Sequence, residues 1–321
     1  MNRLSVGMTS LRPLGPSGLQ VFPLALGGNV FGWTADEDRT FAVLDAYVAS
    51  GGNFIDTADS YSAWVPGNEG GESETLIGKW LAARSRRDDV VIATKVGAHP
   101  AYKGLSPTTI KEAAEASLRR LGTDHIDLYY THFDDESVPV EDIITALDQL
   151  VKAGTVREIA ASNISPERLL ASLDFSEREG LARYVALQPH YNLVSRDTYE
   201  GALQDTAAGA GLAAVPYFAL ASGFLTGKYR PGTPVESARA ESAGKHLQTE
   251  RGRNVLTALD RIAQEHDAEI ATVALAWLAS RPTVTAPIAS ARTVEQLPAL
   301  VAVADLRLTG QELAELNGAS A

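Results

Sequence analysis

The sequences VVIATK at residues 90–95 and IDLYYTH at residues 126–132 decide the fold class. Each is a run of apolar and β-branched residues that ends on a polar side chain. Their near-continuous hydrophobicity is typical of a strand that helices cover on both faces of a parallel sheet. Six further runs share the pattern: FPLALG (22–27), NFIDTA (53–58), VREIAAS (156–162), YVALQPH (184–190), LAAVPYF (212–218) and VTAPIAS (284–290).

The segments between these runs carry helix signals. Ser106-Pro107 opens a stretch with helical apolar spacing that ends at Gly122, as expected for a helix with a serine cap, an early proline and a terminal glycine. The other signals are Ser165-Pro166, the helical patterns at 255–266 and 272–280, and the capping-box spacings of Thr293 with Gln296 and Thr309 with Glu312.

The first seven runs start 28 to 37 residues apart, which is the length of a strand and helix unit. Eight such units predict an α/β fold, a (β/α)8 TIM barrel of usually ~250 residues. The excess length predicts an N-terminal lead-in segment, a long polar loop at 230–253 between strands seven and eight, and extra helices. Because no linker composition interrupts the chain, we expect residues 1–321 to form a single domain. The alternative, a doubly wound sheet, lacks its GxGxxG turn here.

Composition excludes several function classes. With 45% apolar and 21% charged residues, the chain is globular rather than disordered. A net charge of −12 disfavours binding to nucleic acid or anionic lipid. The absence of cysteine excludes disulfides and thiolate zinc sites. Because nothing in a cysteine-free chain requires an oxidising compartment, we expect a cytoplasmic protein. No window approaches the ~18 apolar residues of a membrane span, so we expect a small-molecule partner rather than a membrane.

Polar residues at the carboxyl ends of the strands are the candidate site, because active sites of barrels lie at that end. They include Asp56, Lys95 and His132, with Tyr61 in the loop just after Asp56. A buried ammonium needs a counter-charge, so we expect Asp56 and Lys95 on neighbouring strands to form an ion pair. The charged Lys95 should lower the pKa of Tyr61 and make this tyrosine a proton donor.

Two alternative interpretations use the same residues. His132 could be a core histidine or, with the acidic residues at 134–136, part of a metal site, but no second ligand cluster supports a metal and we expect none. Lys95 could form a Schiff base as in an aldolase. Against that, a neighbouring Asp56 favours the charged, non-nucleophilic form of the lysine.

Three of these motifs, NFIDTADSY, IATK and YYTH, resemble the catalytic tetrad of the aldo-keto reductases. The resemblance implies that Asp56, Tyr61, Lys95 and His132 reduce aldehydes or ketones with a nicotinamide cofactor, Tyr61 donating the proton while hydride arrives from the ring. It extends along most of the chain through LRPLGPSGLQVFPLALGGNVFG (11–32), GESETLIGKW (71–80), SLRRLGTDHIDLYYTH (117–132), ASNIS (161–165), LQPHYN (187–192), LASGFLTGKY (220–229) and PIASARTVEQL (287–297).

Hydride transfer requires a nicotinamide held by polar groups at its carboxamide and by an aromatic ring on its far face. Ser162, Asn163 and Gln188 can supply the first and Tyr217 the second. The turn at Ser290 and Arg292 precedes a predicted helix N-terminus, which favours phosphate. The resemblance implies NADPH rather than NADH and the following cofactor-binding set: Gly28, Asp56, Ser162, Asn163, Gln188, Tyr217, Phe218, Leu220, Ser222, Gly223, Lys228, Ser290, Arg292 and Gln296.

One departure from the family pattern and one alternative function bear on this interpretation. Leu300 stands where the family often has asparagine, so the usual hydrogen bond to adenine is not expected. Some relatives keep the pocket as nicotinamide-binding regulatory subunits with little turnover.

The expected substrate is an apolar or aromatic carbonyl compound, because aromatic side chains follow the first, second and fourth strands: Phe31, Trp33, Trp64 and Phe133.

Overall fold

A computed structural model describes residues 11–84, 86–232, 235 and 240–321 of the protein. Eight parallel strands form one sheet. Seven of them lie within an apolar run that was predicted to be a strand, and the eighth extends one residue beyond its run. The strands are β1 (Ala25–Gly27), β2 (Phe54–Asp56), β3 (Val91–Val96), β4 (Ile126–Thr131), β5 (Val156–Ser162), β6 (Tyr184–Gln188), β7 (Ala213–Ala214) and β8 (Ile288–Ala289).

The strands pair in chain order from β1 to β7, and β8 pairs with β1. The remaining seam lies between β7 and the residues before β8. There Ala214 forms a parallel bridge with Val284, its N–H donates to Thr283 O at 2.8 Å, and its carbonyl accepts from Thr285 N at 2.9 Å. The sheet therefore curls back on itself as a barrel.

Strands β7 and β8 are only two residues long, shorter than the apolar runs that predict them. Each run contains a proline, Pro216 or Pro287, which has no amide hydrogen for the ladder. The proline carbonyls still take part in pairing, since Pro216 O accepts from Ile288 N and Pro287 O accepts from Ala25 N, both at 2.9 Å. The prolines thus shorten the regular strands without opening the barrel.

A short hairpin closes the amino-terminal end of the barrel. Its strands, Arg12–Pro13 and Gln20–Val21, pair antiparallel, and Leu14 and Val21 are fully buried among interior residues of the barrel. Arg12 donates to Thr285 O at 3.2 Å, which fixes the hairpin to the segment before β8. The opposite end of the barrel, where the strands finish, stays open for a site.

Helices cover the outside of the sheet. Two start as predicted: Ser106 Oγ accepts from Thr109 N, and Ser165 Oγ accepts from Arg168 N. The helices are α1 (Glu37–Ala49), α2 (Glu72–Ala83), α3 (Pro107–Leu121), α4 (Val140–Lys152), α5 (Pro166–Glu179), α6 (Ala202–Gly209), α7 (Ala240–Leu247), α8 (Glu250–Glu265), α9 (Ile270–Ala279), α10 (Leu297–Val301) and α11 (Gly310–Ala319). Within the described ranges, no helix is both long and apolar enough to cross a bilayer.

The two predicted capping boxes have different outcomes. Thr309 and Glu312 form one at the start of α11. The prediction for Thr293 is wrong, because a 3-10 turn follows it and its side chain does not cap. Gln296 Oε1 instead accepts from the N–H of Arg292 at 2.8 Å, one residue before the predicted position.

The predicted polar loop at 230–253 is partly helical in the structure. It contains α7 and the first turn of α8, while residues 233, 234 and 236–239 lie outside the described part of the chain. Before it, a 3-10 segment, Ala221–Thr226, has three residues with positive φ, Ala221, Ser222 and Gly223. This segment passes over the open end of the barrel and contributes to the cavity there.

Candidate active site

A buried ammonium group lies at the centre of the open end. Lys95 Nζ donates to Asp56 Oδ2 at 2.7 Å, to the Thr57 carbonyl at 2.8 Å and to Tyr61 Oη at 3.0 Å. Lys95 and Asp56 are 0% and 1% exposed, and the ion pair predicted from strand spacing is present. Because an ammonium only donates, the Tyr61 oxygen is the acceptor in this contact. The hydroxyl hydrogen of Tyr61 is therefore left for another acceptor, either the nearby Asp56 carboxylate, which raises the pKa of Tyr61, or a group in the cavity.

The second oxygen of Asp56 is also occupied. Asp56 Oδ1 accepts from Gln188 Nε2 at 2.8 Å, so the carboxylate bridges strands β3 and β6 across the barrel. A buried carboxylate is tolerated only when it is paired and hydrogen-bonded, and here both conditions hold. Asp56 and Gln188 together fix the position of the Lys95 ammonium.

Burial controls the acidity of the phenol. It raises the pKa of Tyr61, and the Lys95 ammonium opposes this shift without reversing it, so the pKa of Tyr61 is above its ordinary value. Lys95 lowers the pKa of Tyr61 as expected, but the expected net lowering is wrong because burial outweighs the Lys95 charge. Burial lowers the pKa of Lys95, but the combined effect of Asp56 and Tyr61 is larger and opposite. The pKa of Lys95 is therefore above its ordinary value. Lys95 stays charged, as expected.

His132 directly follows β4 and faces Tyr61, with ring centroids 6.1 Å apart. Burial and the nearby Lys95 charge lower the pKa of His132 to about 3, so the imidazole is neutral at pH 7. Its Nδ1 atom is buried and has no hydrogen-bond partner among the described residues. A neutral imidazole carries one N–H donor, which can hydrogen-bond a ligand oxygen beside Tyr61.

These groups border a cavity of about 700 Å³, a size typical of sites for small molecules and cofactors. Asp56, Tyr61 and His132 line it, and Arg292 lines it as well. All the residues predicted to bind cofactor line it except Gly28, and all those predicted to contact substrate line it except Phe31.

Gly28 and Phe31 lie behind the cavity wall. The N–H of Gly28 donates to Asp56 O at 2.7 Å, and its carbonyl accepts from Ser73 Oγ at 2.8 Å. Phe31 is 0% exposed in the core, and its carbonyl accepts from Ser62 Oγ. The prediction of Phe31 as a substrate wall is wrong, because the turn after β1 folds its ring inward and presents Trp33 instead.

Polar side chains and one aromatic ring meet in the middle of the cavity. Tyr217 Oη donates to Asn163 Oδ1, and Asn163 Nδ2 donates to the His132 carbonyl, each at 2.8 Å. Asn163 has φ +48°, a left-handed conformation that asparagine adopts more readily than most residues. The partly exposed Tyr217 ring beside amide and hydroxyl groups fits a flat ring that carries an amide, as nicotinamide does.

The cavity lining also carries positive charge. Arg292 is exposed and has no acidic partner among the described residues, and Lys228 lies 5.1 Å from the Tyr229 ring. Glu269 and Ala271 at the N-terminus of α9 line the same cavity, so one carboxylate accompanies the two cationic side chains. Leu300 adds an apolar side chain to the wall.

Sequence reasoning missed several lining residues. Asn29 lies just after β1, and its side chain accepts from Ser290 Oγ at 2.7 Å. A polar side chain after a strand is the signal by which the other site residues were predicted. Ser60 follows β2 and presented it too. Thr226 lies within the LASGFLTGKY motif, at the end of the 3-10 segment. For Thr34, Ala98 and Glu269, which lie in a loop, in a two-residue strand and at a helix start, no sequence signal pointed to the cavity.

The acidic loop after β4 has structural partners. Asp134 accepts from Arg168 Nε at 2.6 Å, and Asp135 accepts from Leu105 N at 3.0 Å. Within the described part of the chain, no three histidine, aspartate or glutamate side chains lie close enough to hold a metal ion.

Aromatic side chains surround the mouth next to Tyr61 and His132. The Trp33 and Trp64 rings meet edge to face with centroids 5.6 Å apart, and Phe133 stacks on His132 at 4.7 Å. Trp64 and Phe133 are about half exposed, at 50% and 51%. Large exposed aromatic rings at a cavity mouth favour an apolar ligand.

Sequence comparisons agree with this geometry. The sequence profile of the Aldo/keto reductase family matches residues 23–321. The chain is 35% identical over 314 residues to the "Uncharacterized oxidoreductase YrpG" of Bacillus subtilis, covering 95% of this chain and 94% of that protein. It is 32% identical over 326 residues to norsolorinic acid reductase stcV of Emericella nidulans, covering 96% and 80%, and 31% identical over 328 residues to Protein tas of Escherichia coli, covering 94% of each. With a barrel, a buried Asp56–Lys95 pair and these relatives, the chain belongs to the aldo/keto reductase family of oxidoreductases.

Proposed function

We propose that the protein reduces aldehydes or ketones to alcohols with NADPH, and that Tyr61 donates the proton. We propose also that residues 1–321 form a single domain that carries this activity. The observation that carries the proposed reduction is the 3.0 Å contact in which Lys95 donates to Tyr61 Oη. It leaves the hydroxyl hydrogen of Tyr61 for a carbonyl oxygen in the cavity. The nicotinamide, when bound, supplies the hydride.

The surrounding residues have separate roles in this proposal. The neutral His132 hydrogen-bonds the carbonyl oxygen and holds it near the phenol. As the proton leaves Tyr61, the Lys95 ammonium stabilises the negative charge that develops on the phenol oxygen. Asp56 keeps the ammonium in place. The cavity walls exclude water from these atoms, which strengthens each electrostatic contact.

Residues deeper in the cavity hold the cofactor in this proposal. Ser162, Asn163 and Gln188 bind the carboxamide, and Tyr217 stacks on the ring. Arg292 and Lys228 favour the 2′-phosphate of NADPH over the bare hydroxyl of NADH, with help from Ser290 and the α9 N-terminus.

The aromatic mouth favours an apolar or aromatic carbonyl substrate. Trp33, Trp64 and Phe133 offer flat apolar surface, and Asp56, a charged residue that lines the same cavity, is already paired with Lys95. Because an additional charge on the substrate would find no counter-charge there, we expect uncharged carbonyl compounds to be better substrates than keto acids. Reduction is the proposed direction because the relative stcV is named a reductase.

The test is turnover of a panel of uncharged aromatic and aliphatic aldehydes, followed by the near-ultraviolet absorbance of NADPH. Tyr61→Phe should lose at least about 100-fold in kcat while it still binds NADPH. Tyr199→Phe is the matched control, since it removes a hydroxyl that bonds Thr283 outside the cavity, and it should keep full activity.

Three results would contradict the proposal. Unchanged turnover in Tyr61→Phe would refute the role of the phenol. Tight cofactor retention with negligible turnover on every aldehyde would favour a regulatory subunit. Borohydride trapping of substrate on Lys95 without consumption of NADPH would favour an aldolase.

A further inference from the structure

His190 is a residue behind the cavity that the proposed chemistry does not use. It follows β6, and its imidazole stacks on the Tyr217 ring with centroids 5.4 Å apart and planes inclined by 20°. The two backbones are joined there as well, since Tyr217 N donates to Pro189 O at 2.9 Å. Tyr217 lines the cavity and His190 does not, so the imidazole covers one face of the phenol ring and leaves the other to the cavity.

The Tyr217 ring has other contacts as well, because it also packs against the apolar interior of the barrel. Its hydroxyl donates to Asn163 Oδ1, and the neighbouring Phe218 meets its edge at 5.2 Å. Phe218 is 45% exposed and itself leans on His190, with centroids 5.6 Å apart and planes at 80°. His190 is therefore the ring that both aromatic residues of this wall share.

We propose that His190 is a positioning residue for the cofactor: its imidazole holds the Tyr217 ring in the plane on which the nicotinamide stacks. This inference rests on the proposed function, because it requires a nicotinamide at Tyr217. The hydrogen bond at the tip of Tyr217 and the edge contact with Phe218 do not cover the face of the ring that lies away from the cavity. A flat partner on that face limits tilting of the ring before the cofactor arrives, which lowers the entropic cost of binding.

The imidazole is suited to this position in its neutral form. Burial lowers the pKa of His190, and the nearby His246 on α7 lowers it further. An uncharged ring behind Tyr217 adds no positive charge next to a nicotinamide, whose oxidised form is itself a cation. The stack therefore supports the reduced and the oxidised cofactor alike.

The test measures binding rather than turnover. Quenching of the tryptophan fluorescence, with Trp33 and Trp64 in the cavity, gives the Kd for NADPH and for 2′-phospho-ADP-ribose, which lacks the nicotinamide. An aromatic pair contributes enough to change a binding constant roughly threefold to tenfold. We expect His190→Ala to raise the Kd for NADPH by that factor and to leave the Kd for 2′-phospho-ADP-ribose within about twofold of the wild-type value.

His190→Phe is the rescue variant, because it restores a flat ring without a titratable group. It should bind NADPH within about twofold of wild type. Equal NADPH affinity in His190→Ala and wild type would overturn the inference, and so would a His190→Phe variant as weak as His190→Ala. Equal weakening of both ligands in His190→Ala would also overturn it, because the whole cavity would then be affected.

The outcomes for the inference and for the proposed function are distinguishable. If the wild-type protein binds NADPH no more tightly than 2′-phospho-ADP-ribose, the nicotinamide contributes nothing to affinity. That result overturns the positioning role and the proposed function together. A wild-type protein that binds NADPH and reduces aldehydes, with a His190→Ala variant of unchanged affinity, overturns the positioning role alone.

Discussion

Replacing Lys95 with methionine tests the electrostatic centre of the site without reference to any reaction. Methionine has almost the length of lysine and no charge, so the change removes the ammonium and little volume. It deletes three hydrogen bonds, to Asp56, to the Thr57 carbonyl and to Tyr61. Asp56 would remain 1% exposed and would lose its counter-charge, while Gln188 Nε2 would still donate to it.

The expected cost follows from that burial. Removing one partner of a buried ion pair destabilises a protein by about 3–5 kcal/mol, mainly because the other charge stays buried without compensation. Removing both charges together avoids this penalty. Asp56→Asn combined with Lys95→Met should therefore lose less stability than Lys95→Met alone, although two charged groups are gone.

Urea denaturation, followed by far-ultraviolet circular dichroism, gives the free energy of unfolding for wild type, both single variants and the double variant. The double-mutant cycle isolates the pair. We expect Lys95→Met to lose about 3–5 kcal/mol. The reasoning is refuted if the two single losses simply add in the double variant. Lys79→Met is the control, because its ion pair with Glu37 is half exposed and its loss should cost at most about 1 kcal/mol.

Three further predictions concern pH, packing and cofactor choice. Because His132 is held neutral with a pKa of about 3 while an unfolded histidine titrates near 6.5, only the unfolded chain takes up this proton as the pH falls. Wild type should lose about 2 kcal/mol more than His132→Asn between about pH 8 and about pH 5 in urea titrations, and parallel losses would contradict this. Gly78→Ala should cost about 1–3 kcal/mol, since its Cβ would lie 2.2 Å from Arg120 O, whereas Gly318→Ala, with nothing within 4 Å, should stabilise α11; equal thermal midpoints would exclude the clash. Arg292→Ala should raise the Kd for NADPH about tenfold and hardly change that for NADH in fluorescence titrations, unlike the remote Arg178→Ala; equal effects on both dinucleotides would argue against a phosphate contact.

The strands were predictable because burial on both faces leaves a strong signal. Runs such as 90–95 and 126–132 are apolar almost throughout, and the structure places β3 and β4 there. Their exact lengths were less predictable. Pro216 follows β7 and Pro287 directly precedes β8, so each proline limits the regular ladder within its run. Pattern alone does not say whether a proline ends the pairing or only interrupts it.

Helix ends were predictable where a local hydrogen bond decides them. Ser106 and Thr309 cap as expected because their side chains need only the next turn of backbone. Thr293 has the same spacing, yet the chain there first makes a 3-10 turn, and Gln296 bonds Arg292 instead. The path of that turn depends on how β8 leaves the barrel, which local sequence does not contain.

Some residues of the site were predictable from the sequence and others were not. Asp56, Lys95 and His132 were predictable because strand order places strand ends on one rim. Phe31 was not, since whether a loop aromatic turns toward solvent or core depends on neighbours far along the chain, here Ser62. Glu269 was missed for the same reason, because it reaches the cavity from a helix start rather than from a strand end.

The raised pKa of Tyr61 changes how the ion pair acts in the proposed reaction. A phenol that must donate a proton near pH 7 has to hold that proton until the substrate is in place, and burial ensures this. The Lys95 charge then contributes mainly after transfer begins, when negative charge grows on an oxygen 3.0 Å from Nζ. An interaction that strengthens between ground state and transition state accelerates the step, whereas one equally strong in both does not. Burial of the phenol and proximity of the ammonium are thus complementary, because the first protects the acid and the second stabilises the charge that forms when the proton leaves.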